Sequence, residues 1–189
     1  MNSKLKWLVA LIVLQAMWVL GMVVTHEWRL RSGARVILET ALVDPRDWLR
    51  GDYLILNYKI STVPMNLISG LTTNSPAPGT PIYVQLSRQG SFHQIDLADM
   101  RPIAAKPGTI LIVGQVSVRS DWPMASQPGS DRGLLVDYGL ERYFVSEGKG
   151  SPRGTLTVEA SVSTSGNALI RQVFLEGKPY REAMRSQRQ

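Results

Sequence analysis

Three carboxylates stand close together in this chain: Asp44, Asp47 and Asp52. Oxygen ligands at such density suit a hard cation, and a carboxylate in a pocket can act as a general base. The spacing does not follow the calcium-loop pattern, however, and Arg46 and Arg50 lie among the carboxylates as counter-charges. Local capping explains most of the cluster. Asp44 stands where a helix N-cap would, Pro45 at the first helical position, and Asp47 three residues after the cap. Arg50 falls near the negative end of that single turn, and Gly51 can close it in the left-handed conformation. The reading is therefore structural first, a partner or peptide site second, and metal binding or catalysis last. We expect no metal and no cofactor.

Other chemistry is thinner. There are no cysteines, which removes disulfides, thiolate metal sites and a thiol nucleophile. His26 and His93 are isolated, without a carboxylate or second histidine at ligand spacing, and read as ordinary interfacial and surface histidines. A proline-containing turn followed by Gly51-Asp52 at the head of a strand is similar to the catalytic region of signal peptidases. No serine lies between residues 33 and 60, so that acyl-transfer chemistry has no nucleophile here. Gly148-Lys149-Gly150 with Arg153 has the composition of a phosphate cradle, but no helix N-terminus follows it. Glu141, Arg142, Tyr143, Phe144 and Glu147 read as a turn that packs aromatics and pairs charges, with a binding role as the alternative.

The pattern Gly51-Asp52-Tyr53-x-x-Leu56-x-Tyr58 resembles the signature of the GDYXXLXY family of bacterial membrane-anchored proteins. The segment from Tyr138 to Gly150 resembles that family's second recurrent segment. The resemblance implies an N-terminal anchor, an extracytoplasmic domain, and a multi-spanning membrane protein encoded alongside as a plausible partner. It implies no particular reaction. The candidate binding or motif residues are therefore Asp44, Asp47, Gly51, Asp52, Tyr53, Leu56, Tyr58, Glu141, Tyr143 and Glu147.

These residues need elements to hold them. Trp7 to Thr25 runs without a formal charge, with Gln15 its one strongly polar member. On a helix Trp7 and Trp28 stand roughly 31 Å apart, close to the thickness of a hydrocarbon core with an interfacial tryptophan at each end. A cleaved signal peptide ending at Val19-Leu20-Gly21 and a buried soluble helix are the alternatives. Met22-Val23-Val24 carries the apolar run onward and favours a retained anchor. Lys4 and Lys6 on one side nearly balance Arg29, Arg31 and Arg35, offset by Glu27, on the other. A short N-terminal tail ahead of a first span usually stays inside.

After residue 30 no helical periodicity is sustained. The stretch 34–43 is mostly apolar, as in a strand covered on both faces. From Tyr53 to Ile60, Leu54, Leu56, Tyr58 and Ile60 share one face, and Asn57 and Lys59 mark the wetter one. Residues 61–81 read as a long irregular connection, with a short helix possible over 65–71. The stretches 80–87 and 91–97 read as a hairpin. The stretch 155–163 alternates, with Thr155, Thr157, Glu159, Ser161 and Ser163 outward, and Ser165-Gly166-Asn167 turns it into a partner strand over 168–175.

The expected fold is mainly β: an antiparallel sandwich or partly closed barrel preceded by one N-terminal transmembrane helix. The expected boundaries are a cytoplasmic tail (1–6), an anchor (7–28), a β domain (33–180) and a flexible tail (181–189).

The net charge of +6 is scattered. Small clusters stand at Arg29/Arg31/Arg35 and Arg181/Arg185/Arg188, and anionic lipid headgroups are the expected partner of the first. No basic face interleaves with aromatics, so no nucleic-acid partner is expected. The functional expectation is an inner-membrane-anchored, periplasmic β domain acting as a non-enzymatic binding or accessory module of a membrane-protein complex. The alternative is an envelope hydrolase using Asp52 or a nearby carboxylate.

Overall fold

A computed structural model describes residues 3–40, 53–70, 76–117, 133–144 and 154–186. The N-terminal helix α1 (Ser3–Ser32) is long and apolar enough to cross a membrane. None of its apolar window is buried against protein; Trp7, Trp18 and Trp28 are at least 70% exposed. A soluble core helix would hide such side chains from water, so the buried-helix alternative falls away.

The rest is mainly β. A six-stranded sheet runs in the order β3 (Thr62–Pro64), β8 (Gly133–Asp137), β7 (Thr109–Val116), β5 (Pro81–Gln89), β6 (Phe92–Asp99), β4 (Ile68–Ser69). A four-stranded sheet runs β1 (Ala34–Glu39), β10 (Leu156–Val162), β11 (Ala168–Leu175), β12 (Lys178–Pro179). A short ribbon pairs β2 (Tyr53–Ile55) with β9 (Arg142–Phe144). The described pairings are antiparallel except β4 with β6, which runs parallel over two residues.

Both hairpins expected from the sequence form. The β5–β6 turn uses Gly90 at φ 63°, and the β10–β11 turn uses Gly166 at φ 85°. Each sheet has one apolar face, and the two faces share one core built from Val36, Leu38, Val84, Ile112, Val158 and Val173 among others.

Two seams curl the large sheet into a half-barrel against the small one. At the first, the Ile37 N–H at the outer edge of β1 donates to His93 Nδ1 on β6, 3.1 Å away. At the second, the Val113 N–H of β7 donates to the Gly166 carbonyl at the β10–β11 turn, 2.9 Å away.

Several local expectations change. The strand from Tyr53 ends at Ile55, and a single 3₁₀ turn over Lys59–Ser61 follows. Asn57, expected on the wet face, is 6% exposed, and its Nδ2 has no partner among the described residues. Strand β1 buries only Val36 and Leu38; Arg35 is exposed, and Ile37 and Glu39 are half-exposed. Apolar composition therefore overstated its coverage. Glu159 and Ser161, expected outward, are buried, because a bulge after Glu159 and the close approach of Gly33 cover that face. From the last residue of the expected β domain into the expected tail, Tyr180–Ser186 forms a short helix, α2, whose Ala183 and Met184 join the core.

Candidate functional site

The two family-like segments meet in the structure. In the β2–β9 ribbon, Tyr53 lies opposite Phe144, Leu54 opposite Tyr143 and Ile55 opposite Arg142. One residue on, the Leu56 N–H donates to the Glu141 carbonyl at 2.7 Å. Leu56 itself is 1% exposed. The chain then passes inside, and two tyrosine hydroxyls lace the segments together. Tyr58 OH donates to the Leu140 carbonyl at 2.7 Å, and Tyr138 OH donates back to the Ile60 carbonyl at 2.9 Å. Tyr58 also bridges to Thr40, whose Oγ1 donates to the Leu156 carbonyl at 2.7 Å.

Each tyrosine buries a ring and still satisfies its hydroxyl, which is the arrangement a buried phenol requires. Burial, with the Glu141 carboxylate adding to it, holds both Tyr58 and Tyr138 far above the usual tyrosine pKa. Both therefore remain neutral donors at physiological pH and supply no phenolate nucleophile.

Glu141 commits one carboxylate oxygen to the fold. It is 9% exposed, and its Oε1 accepts the Tyr138 N–H at 2.5 Å. That bond closes the turn through Gly139, which has φ 78°. Tyr143 extends the joint to the C-terminus by meeting the Tyr180 ring edge-on, with centroids 5.9 Å apart. Burial, with Tyr143 adding to it, raises the Tyr180 pKa as well.

A cleft of about 580 Å³ adjoins this joint. Its walls include Gly114 and Gln115 of β7, Asp137 at the end of β8, Glu141, Arg142, and Asn167 of the β10–β11 turn. Asp137 is steered by the Ser117 hydroxyl, which donates to its Oδ2 at 2.6 Å. Gly114 is small for a reason: an added Cβ would stand 2.3 Å from Val136 Cγ1 and 2.9 Å from Tyr138 Cδ1.

Of the expected site residues, Leu56, Tyr58, Glu141 and Tyr143 are brought together. Tyr53 joins them through its backbone pairing. Asp44, Asp47, Gly51, Asp52 and Glu147 lie outside the described residues, as do Gly148, Lys149, Gly150 and Arg153. The capped turn therefore lies outside them too. Among the described residues no cluster has the makings of a metal site.

The sequence reading missed Gln115, Asp137 and Asn167 as cleft walls. Asp137 directly precedes the second segment and Asn167 ends a strong turn signal, but nothing in the sequence showed that they face each other. His93 also differs from its expectation. It is 8% exposed and accepts a backbone N–H.

Interlocking of residues 53–58 with residues 138–144 ties the described part of the motif to the fold. The chain belongs to the GDYXXLXY family. The match, to the description GDYXXLXY protein, spans residues 15–173 and so takes in more than half of α1 along with nearly all of the β domain. No match was found among curated proteins or solved structures. The described part of the family motif is an internal brace. The Tyr58 and Tyr138 hydroxyls bond to the Leu140 and Ile60 carbonyls, and the cleft opens beside them.

Proposed function

We propose that this is a single-span inner-membrane protein. Its β domain lies outside the cytoplasm and serves as a non-enzymatic binding or accessory module of a membrane-protein complex, with a multi-spanning protein as the partner. The observation that carries this reading is the use of the motif. Tyr58 and Tyr138 spend their hydroxyl protons on neighbouring backbone carbonyls, and one Glu141 carboxylate oxygen accepts a backbone N–H, so the described family residues maintain a shape rather than poise a reactive group.

The short link between anchor and domain supports the same reading. Only Gly33 separates α1 from β1, so a membrane-embedded α1 keeps the domain close to whatever else occupies the bilayer.

Of the juxtamembrane arginines, Arg31 pairs with Glu27 at 2.7 Å and Arg35 with Glu159 at 2.5 Å. Attraction to anionic lipid is correspondingly weaker than three unpaired cations would provide. That favours a protein partner over the lipid surface as the source of specificity.

Crosslinking in intact membranes followed by mass spectrometry tests the accessory role. The expected product joins this chain to a multi-spanning protein; monomer alone, under conditions that capture other complexes, would count against it. A reporter that fluoresces only in the cytoplasm, fused after Gln189, should be dark. A bright fusion would overturn the orientation.

A further inference from the structure

The cleft beside the motif brace lies at the end of the domain from which the membrane helix leaves. Ala34, two residues past the end of α1, pairs with Val162, and Val162 pairs with Ala168. Asn167, on the cleft wall, directly precedes Ala168 and is therefore about 10 Å from the helix exit, two strand spacings across the sheet. Trp28 lies one helical turn before the exit, about 6 Å along the axis, and tryptophan favours the headgroup belt. The cleft thus opens within reach of the extracytoplasmic loops of neighbouring membrane proteins.

Its chemistry selects among occupants. Asp137 and Glu141 are each held by a hydrogen bond to one carboxylate oxygen. Among the described lining residues these two and Arg142 sum to a net negative formal charge, and Gln115 and Asn167 add amide donors and acceptors. An anionic headgroup meets like charge here, whereas a lysine or arginine side chain meets complementary charge.

We propose that this cleft is where the partner docks. Its occupant is an extended extracytoplasmic loop of a multi-spanning membrane protein, placing a lysine or arginine side chain against Asp137 and Glu141. This rests on the accessory-module reading and assigns it a surface.

The test uses the full-length protein in its own membranes, with a photo-crosslinking residue at Asn167 or, separately, at Ser91 on the far β5–β6 turn. From Asn167, the adduct should sequence to an extracytoplasmic loop peptide containing lysine or arginine. Gln115→Lys and Asp137→Asn, checked for unchanged yield and melting, should each lower that adduct about tenfold or more. Should either variant fail to fold, the other carries the comparison.

Adducts from Ser91 but not from Asn167 would overturn the cleft assignment while leaving the accessory role standing. Adducts from neither position would remove both. An Asn167 adduct to lipid alone, or to a second copy of this chain, would also overturn the assignment. So would an adduct indifferent to Gln115→Lys and Asp137→Asn.

Discussion

Tyr58 and Tyr138 bear the most consequence at the scale of single residues. Their hydroxyls are the described donors to the Leu140 and Ile60 carbonyls. Removing a donor to a buried carbonyl leaves that carbonyl unpaired, at a cost of about 1–3 kcal/mol. Tyr58→Phe and Tyr138→Phe should each lower the denaturation midpoint accordingly in the detergent-solubilised protein. The double variant should cost less than the sum, because both bonds join the same two segments. Additive losses would mean that the bonds act independently. A variant that melts like wild type but no longer captures a partner would instead assign that hydroxyl to recognition. Glu141 belongs beside them: its carboxylate shapes the second segment's turn and also raises both phenol pKa values.

At the scale of elements, two glycines decide how strands approach. Gly114 lets β7 pass under the Tyr138 ring, with no room for a Cβ beside Val136. Gly114→Ala should destabilise by about 1–3 kcal/mol through overpacking, measurable by chemical denaturation. Gly166 is constrained twice. Its φ is 85°, and an added Cβ would lie 2.4 Å from Val113 Cγ2 and 3.2 Å from the Val113 nitrogen. Gly166→Ala should therefore both strain the turn and push it off β7. The expected signature is faster amide hydrogen exchange at Val113, whose N–H donates to Gly166. Unchanged protection there would show that the seam is held by other contacts. Gly33 has a similar role at the helix exit, where a Cβ would collide with Ser161 Oγ and lie 2.9 Å from the Val162 carbonyl oxygen.

For the whole molecule, the first seam carries a pH dependence. Burial lowers the His93 pKa below its ordinary value of 6.5, and Arg88 nearby adds to the effect. Accepting the Ile37 N–H also commits the Nδ1 lone pair, so a proton at that nitrogen displaces the contact. Glu39 and Lys59, paired at 2.7 Å, line the adjoining groove of about 310 Å³. The unfolded chain takes up a proton near pH 6.5 and the folded chain only at lower pH. The neutral histidine's contribution is thus fully present above pH 6.5 and is lost as pH falls through the folded value. Thermal melts across this range should show stability declining below pH 6.5, and His93→Gln should flatten that decline. An equal slope in both proteins would mean that other groups set the acid sensitivity.

The sequence alone determined the parts whose physics is local. An uninterrupted apolar run bracketed by tryptophans specifies a long exposed helix whatever follows it. Alternation from residue 155 to 163 with Ser165-Gly166-Asn167 specifies a hairpin, because strand period and turn chemistry are short-range. Two separated motif segments were legible as patterns, and the family match agrees with them.

Only tertiary structure decided what those patterns do. Tyr58 and Leu140 are 82 residues apart in the chain, and no local rule specifies which carbonyl a hydroxyl will find after the sheets curl. The burial of Glu159 depended on a bulge and on Arg35 and Arg171 arriving from neighbouring strands. The burial of His93 depended on β6 meeting the edge of β1. The cleft was invisible for the same reason. Its walls come from β7, the end of β8 and the β10–β11 turn, and they face one another only because the half-barrel closes through long-range backbone bonds.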